Sequence, residues 1–152
     1  MESDMAGKRA EDFSLKDQDD EEFRLSGFIG RKVLLSFHPL AWTSVCAGQM
    51  KDLEDRMETF DRLDTVPVGI SVDSVPCKKA WAKSLEIERL TLLSDFWPHG
   101  GVAKKFRVFR EEDGIANRAN VLVDEEGKVT LVKVYEIKER PDLGEIVDFL
   151  ER

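Results

Sequence analysis

Apolar and polar positions form short blocks along the chain, and most blocks have the length and alternation of β-strands. Near the N-terminus, apolar and polar residues alternate in two blocks on either side of an acidic turn, which predicts a β-hairpin. Two mostly apolar runs predict buried strands, and a pair of blocks around Gly127 predicts a second hairpin. The predicted strands span residues 13–15, 23–25, 33–37, 66–72, 120–123 and 129–135.

Stretches with helical spacing lie between the predicted strands. In the longest of them, apolar residues recur every three or four positions, which predicts one buried face. The predicted helices start at Thr43 or Ser44, at Asp73 or Ser74, at Gly101 and at Pro141, and the first and third reach about Phe60 and Phe109. Their predicted inward residues are Met50, Leu53, Met57, Phe60, Ala80, Trp81, Leu85, Leu143, Ile146, Val147 and Leu150.

The order of these elements predicts the fold class. Strands that alternate with helices indicate an α/β fold, in which helices flank a central sheet. Hairpin pairs are antiparallel, whereas strands joined by a helix are parallel, so the sheet is expected to be mixed. The sequence contains no internal repeat and no linker, which predicts a single domain over residues 1–152.

Composition narrows the range of partners. The chain has 152 residues, of which 41% are hydrophobic and 36% charged, as expected for a folded globular protein. A net charge of -8 and a pI of about 4.9 argue against nucleic acid or an anionic membrane as a partner. No apolar run approaches the ~20 residues that span a bilayer. The N-terminal segment lacks the pattern of a secretory leader, so a cytoplasmic location is expected.

Cysteine and histidine are sparse, with two of each. Cys46 and Cys77 do not form a C-x-x-C pair, and no ligand-like spacing joins them to His38 or His99. A metal site is therefore not expected. Both histidines adjoin prolines in turn-like segments, and we interpret them as structural.

Cys46 follows a predicted strand and lies in the first turn of the next predicted helix. Its spacing from Met50 places its side chain on the inward face of that helix. The unbonded N–H groups and positive dipole end of a helix favour a thiolate over a thiol. Position alone leaves two interpretations open, a reactive nucleophile and a small core residue.

Three segments carry a resemblance that bears on this choice. Residues 37–46 read F-H-P-L-A-W-T-S-V-C, which matches the pattern P-x-x-x-[TS]-x-x-C at Pro39, Thr43 and Cys46. Residues 93–100 read L-S-D-F-W-P-H-G, and residues 114–124 read G-I-A-N-R-A-N-V-L-V-D. With these segments the chain resembles the peroxiredoxin family, in particular its alkyl hydroperoxide reductase E-like subgroup, from about Gly7 to Arg152.

The resemblance implies a thioredoxin-like fold and thiol-dependent reduction of H2O2 and organic hydroperoxides in antioxidant defence, without a cofactor. Cys46 would attack the peroxide and become a sulfenic acid, with Thr43 bonded to the sulfur and the peroxide oxygens. Pro39 would shield the sulfenic acid, and Arg118 would stabilise the thiolate and the transition state. An external thiol, such as thioredoxin, glutaredoxin or a low-molecular-weight thiol, would act as reductant. Analogy also implies a homodimer.

Two positions leave questions open. Gln49 lies three residues after Cys46, where many peroxiredoxins carry Glu. This difference concerns the hydrogen bonding to Arg118. Cys77 is either a candidate resolving cysteine, which would form a disulfide with Cys46, or a passive thiol.

The alternative function is a thiol–disulfide or redox-sensing interaction protein on the same fold. The missing C-x-x-C pair argues against a thiol–disulfide oxidoreductase. Catalytic consumption of peroxide would separate an enzyme from a sensor.

Overall fold

The fold is described for residues 4–152 by a computed structural model. Nine strands lie in this range, and seven of them form one mixed sheet. The strands are β1 Ser14–Asp17, β2 Glu22–Arg24, β3 Lys32–Phe37, β4 Thr65–Ser71, β5 Thr91–Ser94, β6 Phe109–Arg110, β7 Ile115–Ala116, β8 Arg118–Val123 and β9 Val129–Tyr135. The order in the sheet is β2-β1-β5-β4-β3-β8-β9, and β6 pairs with β7 separately.

Five α-helices connect or follow these strands within the same range. They are α1 Ser44–Asp55, α2 Met57–Arg62, α3 Val75–Ser84, α4 Gly101–Lys105 and α5 Leu143–Leu150. A 3-10 helix spans Leu25–Phe28. None of the helices in residues 4–152 has the length and apolar character required to cross a membrane.

The sheet topology gathers several loops at one edge. Strands β3, β4 and β5 are parallel neighbours, so their carboxyl ends lie together. The chain passes from these ends into α1, α3 and α4 respectively. Strand β8 runs antiparallel to β3, with Ala119 opposite Phe37, so Arg118 at the start of β8 lies at the same edge.

Both faces of the sheet are covered, and β3 shows how. Leu34 packs in a cluster with residues of α1, α2, α3 and α5. Val33, Leu35 and Phe37 point the other way and pack with residues of α4 and the N-terminal hairpin. Burial on both faces explains why β3 reads as a continuous apolar run and not as an alternating one.

The predicted mixed sheet and both predicted hairpins are confirmed. The helix predicted from Thr43 or Ser44 to Phe60 is wrong in one respect, because it breaks at Arg56 into α1 and α2. Buried apolar residues keep their helical spacing across the break, from Leu53 to Met57 and Phe60. The apolar pattern therefore did not reveal the break. The third predicted helix is too long, since α4 ends at Lys105 and Phe109 lies in β6.

The inner face of α3 also differs from the prediction. Ala80 is exposed, whereas Lys78, Trp81 and Ala82 are buried. A helical face that contains Trp81 also contains the residue three positions earlier. That residue is a lysine, a type that is seldom buried unless it has a partner.

Strand β5, at Thr91–Ser94, was not predicted from the sequence.

Candidate active site

Cys46 is positioned by the turn from β3 into α1. Thr43 is the N-cap, with extended backbone at φ -108° and ψ 149°, and Cys46 lies in the first turn of the helix. The Cys46 side chain is 0% exposed and packs in the cluster that contains Leu34 and Met50. The predicted inward orientation is therefore confirmed, and the sulfur is a free thiol at a helix N-terminus.

Arg118 reaches Cys46 from the sheet. Alternation along β8 sends Ala119 and Val121 to the opposite face, so Arg118 lies beneath α1. Its Nη1 donates to Cys46 Sγ at 3.3 Å. Its Nε and Nη2 donate to the carbonyl oxygen of Ile137, at 3.0 Å and 2.6 Å, which fixes the plane of the guanidinium. A buried cation in contact with the sulfur favours the thiolate.

Gln49 holds the other side of the guanidinium. Its Oε1 accepts from Arg118 Nη1 at 2.8 Å. Its Nε2 donates to Ser36 Oγ at 2.7 Å and to the Phe37 carbonyl at 3.2 Å. These partners fix the orientation of the amide, because the carbonyl can only accept and the guanidinium can only donate. A neutral amide orients Arg118 without neutralising the positive charge that faces Cys46.

Thr43 and Pro39 lie in the loop that leads to Cys46. The Thr43 hydroxyl donates to the Leu40 carbonyl at 2.8 Å, so its single hydrogen is not directed at the sulfur in this conformation. A hydrogen bond from Thr43 to the sulfur, as the resemblance implies, therefore requires that this hydroxyl rotate. Pro39 is buried. Asp73 anchors the loop, since its Oδ2 accepts from the Ala41 N–H at 2.8 Å.

Cys77 begins the helix that follows the neighbouring strand β4. Its N–H donates to Ser74 Oγ at 3.3 Å, and this bond caps α3. The thiol is half-buried, and its Sγ lies 3.7 Å from Asp73 Oδ1. Burial raises the pKa of the Cys77 thiol, and the negative charge of Asp73 raises it further. A protonated Cys77 is a weak nucleophile at neutral pH.

The sequence model of the AhpC/TSA family matches residues 6–132. The chain belongs to that family. It is also 41% identical over 143 residues to alkyl hydroperoxide reductase E of Mycobacterium tuberculosis, an alignment that covers 93% of this chain and 89% of the relative. A chloroplastic 2-Cys peroxiredoxin of Hordeum vulgare is 35% identical over 135 residues, which cover 82% of this chain and 63% of the relative.

A solved structure supports the fold assignment. The reduced 2-Cys peroxiredoxin of Plasmodium vivax has a TM-score of 0.90 and 29% identity, and the match covers 98% of this chain and 81% of that one. The expected thioredoxin-like fold of a peroxiredoxin, a thiol-dependent peroxidase, is thereby confirmed.

This peroxiredoxin also contains two buried polar residues that sequence reasoning missed as part of the site. His38 and Lys78 are both 0% exposed, and the Lys78 Nζ lies 2.8 Å from His38 Nε2. Burial lowers the pKa of Lys78 to about 7, although the negative charges of Asp73 and Cys46 oppose that shift. Burial also lowers the pKa of His38 well below its ordinary value, and the charges of Lys78 and Arg118 lower it further. The spacing of Lys78 from Trp81 was the one sequence signal for this pair.

The structure also places four other side chains of the motifs. His99 is exposed and bonds the Gly114 carbonyl at 2.7 Å. Phe37 is a core residue. Trp42 and Trp97 are 57% and 80% exposed.

Proposed function

We propose that this peroxiredoxin reduces H2O2 and organic hydroperoxides through a sulfenic acid on Cys46. The observation that carries the proposal is the contact between Arg118 Nη1 and the buried Cys46 Sγ, 3.3 Å apart at the start of a helix. The thiolate attacks one peroxide oxygen and the O–O bond breaks. In balanced form, Cys46–S⁻, ROOH and H⁺ give Cys46–SOH and ROH.

Each neighbouring residue has a role that follows from its position. Charge develops on the leaving oxygen as the O–O bond breaks, and preorganised donors stabilise it. Arg118 supplies such donors and the positive charge. Thr43 supplies its hydroxyl once it turns from the Leu40 carbonyl, and Pro39 shields the sulfenic acid from water.

The proposal includes an external thiol as reductant and a reducing cytoplasm as location. Both cysteines are free thiols in the structure, which is the form that an external thiol would restore after each turnover. The test is peroxide consumption with H2O2 and cumene hydroperoxide, each with thioredoxin, glutaredoxin or a low-molecular-weight thiol. We expect many turnovers per Cys46 with at least one reductant. A single equivalent consumed with every reductant would instead support a redox sensor.

Cys77 is proposed as a resolving cysteine whose reaction depends on pH. The raised pKa of its thiol keeps it protonated near pH 7, so attack on the sulfenic acid is slow there. We expect the rate of Cys46–Cys77 disulfide formation to increase about tenfold per pH unit between pH 7 and pH 9. The protein is treated with one equivalent of peroxide in the presence of dimedone, and its intact mass is measured. A loss of two hydrogens reports the disulfide, and a dimedone adduct reports sulfenic acid that was not resolved.

The Cys77→Ser variant is the matched control for this experiment. It should give only the dimedone adduct at every pH. A wild-type protein that also gives only this adduct at pH 9 would show that Cys77 is a passive thiol and that an external thiol is required.

A homodimer is also part of the proposal. Large apolar side chains are exposed in the loops after β3 and β5, which leave the sheet at the same edge. They are Leu40, Trp42, Phe96 and Trp97. Exposed apolar groups of this size at one edge support an interface between two copies.

Replacing Trp97 with glutamate is expected to convert the dimer into monomers, because a carboxylate would lose its hydration in an apolar interface. Sedimentation velocity at micromolar concentration measures the change, with Trp97→Phe as the control that keeps an apolar ring. Wild-type protein that sediments as a monomer, or a Trp97→Glu variant that remains dimeric, would contradict this assignment.

A further inference from the structure

A buried lysine–histidine pair lies where β3 and β4 end, at the sheet edge that also carries Arg118, and none of the roles described so far uses it. Lys78 and His38 are fully buried, and their nitrogens lie 2.8 Å apart. Trp81 covers both, with its ring centre 5.1 Å from that of His38 and 5.7 Å from Lys78 Nζ. His38 Nδ1 has no hydrogen-bond partner among residues 4–152. His38 Nε2 is the hydrogen-bond partner found for the Lys78 amine among residues 4–152.

The topology brings this pair to the Cys46 site. His38 directly follows β3, and its N–H donates to the Ile70 carbonyl of β4 at 2.9 Å. The register that pairs Phe37 with Ala119 puts Arg118 at the level of His38. Lys78 enters from α3, which begins where β4 ends. The pair thus lies between the strand that leads to Cys46 and the helix that carries Cys77.

The surrounding charges decide which member of the pair carries the proton. Four neighbouring groups favour the ammonium form of Lys78 through their charge, namely Asp73, Cys46, Cys77 and Asp95. Lys78 and Arg118 act on His38, and both disfavour an imidazolium. Protonation therefore occurs on Lys78, while His38 stays neutral and accepts a hydrogen bond through Nε2.

The coupling between Lys78 and Cys46 operates in both directions. If a Cys46 thiolate favours the Lys78 ammonium, the ammonium favours the thiolate by the same free energy. We infer that Lys78, held by His38, is a positioning residue that supplies a second positive charge to the thiolate of Cys46. This inference rests on the proposed function, because it concerns the same sulfur.

The pH dependence of this charge follows from the titration of Lys78. Its pKa is about 7, so the ammonium is present below neutral pH and is lost above it. Arg118 remains charged throughout, so only the Lys78 contribution changes with pH. The effect of Lys78 on thiolate reactivity should therefore be largest near pH 6 and vanish in alkaline solution.

The test compares Lys78→Met with its parent in a Cys77→Ser background, where Cys46 is the only thiol. The rate of Cys46 alkylation by iodoacetamide is followed by mass from pH 5.5 to 9.5. We expect Lys78→Met to react about three- to tenfold more slowly at pH 6, and at the parent rate above pH 9. Lys79→Met removes an exposed lysine from the same helix and should leave the profile unchanged. Lys78→Arg should restore the rate at pH 6.

A slowing by the same factor at every pH would indicate altered packing and would overturn the inference, as would equal rates for parent and variant at pH 6. The same conclusion would follow if Lys79→Met had the same effect as Lys78→Met.

A second measurement needs no variant at Lys78. The chain has two histidines, so ring-nitrogen NMR resolves His38 once His99→Gln has assigned the other signal. We expect the His38 signals to shift with a midpoint near pH 7 while the ring stays neutral. A His38 ring that gains a proton near pH 6.5, or shows no inflection between pH 5.5 and 9, would overturn the inference. Neither experiment uses peroxide, so a failure of the proposed peroxidase activity would appear separately, as peroxide left unconsumed by a protein with the expected profile.

Discussion

Replacing Cys46 with serine is expected to abolish peroxide reduction and to leave the fold intact. A hydroxyl is not ionised at neutral pH, so the variant lacks the nucleophile, and the rate should fall by at least about 10³-fold. Serine differs from cysteine by one atom and fits the same fully buried site at the start of α1. Peroxide consumption under a saturating thiol reductant measures the loss, and circular dichroism measures the fold.

Cys77→Ser is the matched control for this variant. Its thiol is also at a helix start, yet its removal should leave the first reaction with peroxide unchanged. The assignment would be wrong if Cys46→Ser kept more than a small fraction of the activity, or if Cys77→Ser lost as much.

Replacing Arg118 with methionine is expected to slow the reaction of Cys46 with peroxide by about 10²- to 10³-fold, the usual cost of removing a donor to a developing oxyanion. Methionine fills similar space but supplies neither the charge nor the N–H bonds to Cys46, Gln49 and the Ile137 carbonyl. Each acceptor left buried without a partner costs about 1–3 kcal/mol, so a lower unfolding temperature is expected as well. Stopped-flow fluorescence with excess peroxide measures the rate.

Arg118→Lys separates charge from geometry. An ammonium keeps the charge but cannot bond Cys46, Gln49 and Ile137 with one planar group, so an intermediate rate is expected. A folded Arg118→Met variant that reacts at the wild-type rate would remove Arg118 from the mechanism. Equal loss in both variants would show that the bridging geometry, and not the charge, is required.

The direction of the Cys46 side chain could be anticipated from the sequence because it is fixed locally. Cys46 follows a strand and opens a helix, and that turn sets the direction of its side chain. The role of Arg118 was implied only by the resemblance to peroxiredoxins, because the strand predicted at residues 120–123 did not include it. The fold class could be predicted from the order of the elements, since strands that alternate with helices allow few arrangements.

The remaining parts of the site depend on tertiary contacts that a local pattern does not encode. Lys78 was not expected inside, because lysine is seldom buried, and only its packing against His38 and Trp81 allows it. The resemblance implied a hydrogen bond from Thr43 to the sulfur, whereas in the structure the Leu40 carbonyl accepts the one hydrogen of that hydroxyl. Ala80 was assigned to the inner face of α3 because apolar residues are usually buried, whereas the helix phase places it outside.

The most direct test of the central claim is a single turnover of reduced wild-type protein with one equivalent of H2O2 at pH 7, in the presence of dimedone. Tandem mass spectrometry then locates the modification. The proposed mechanism predicts one dimedone adduct on Cys46 for each peroxide consumed. Peroxide consumed while Cys46 remains unmodified, or an adduct that forms first on Cys77, would contradict it.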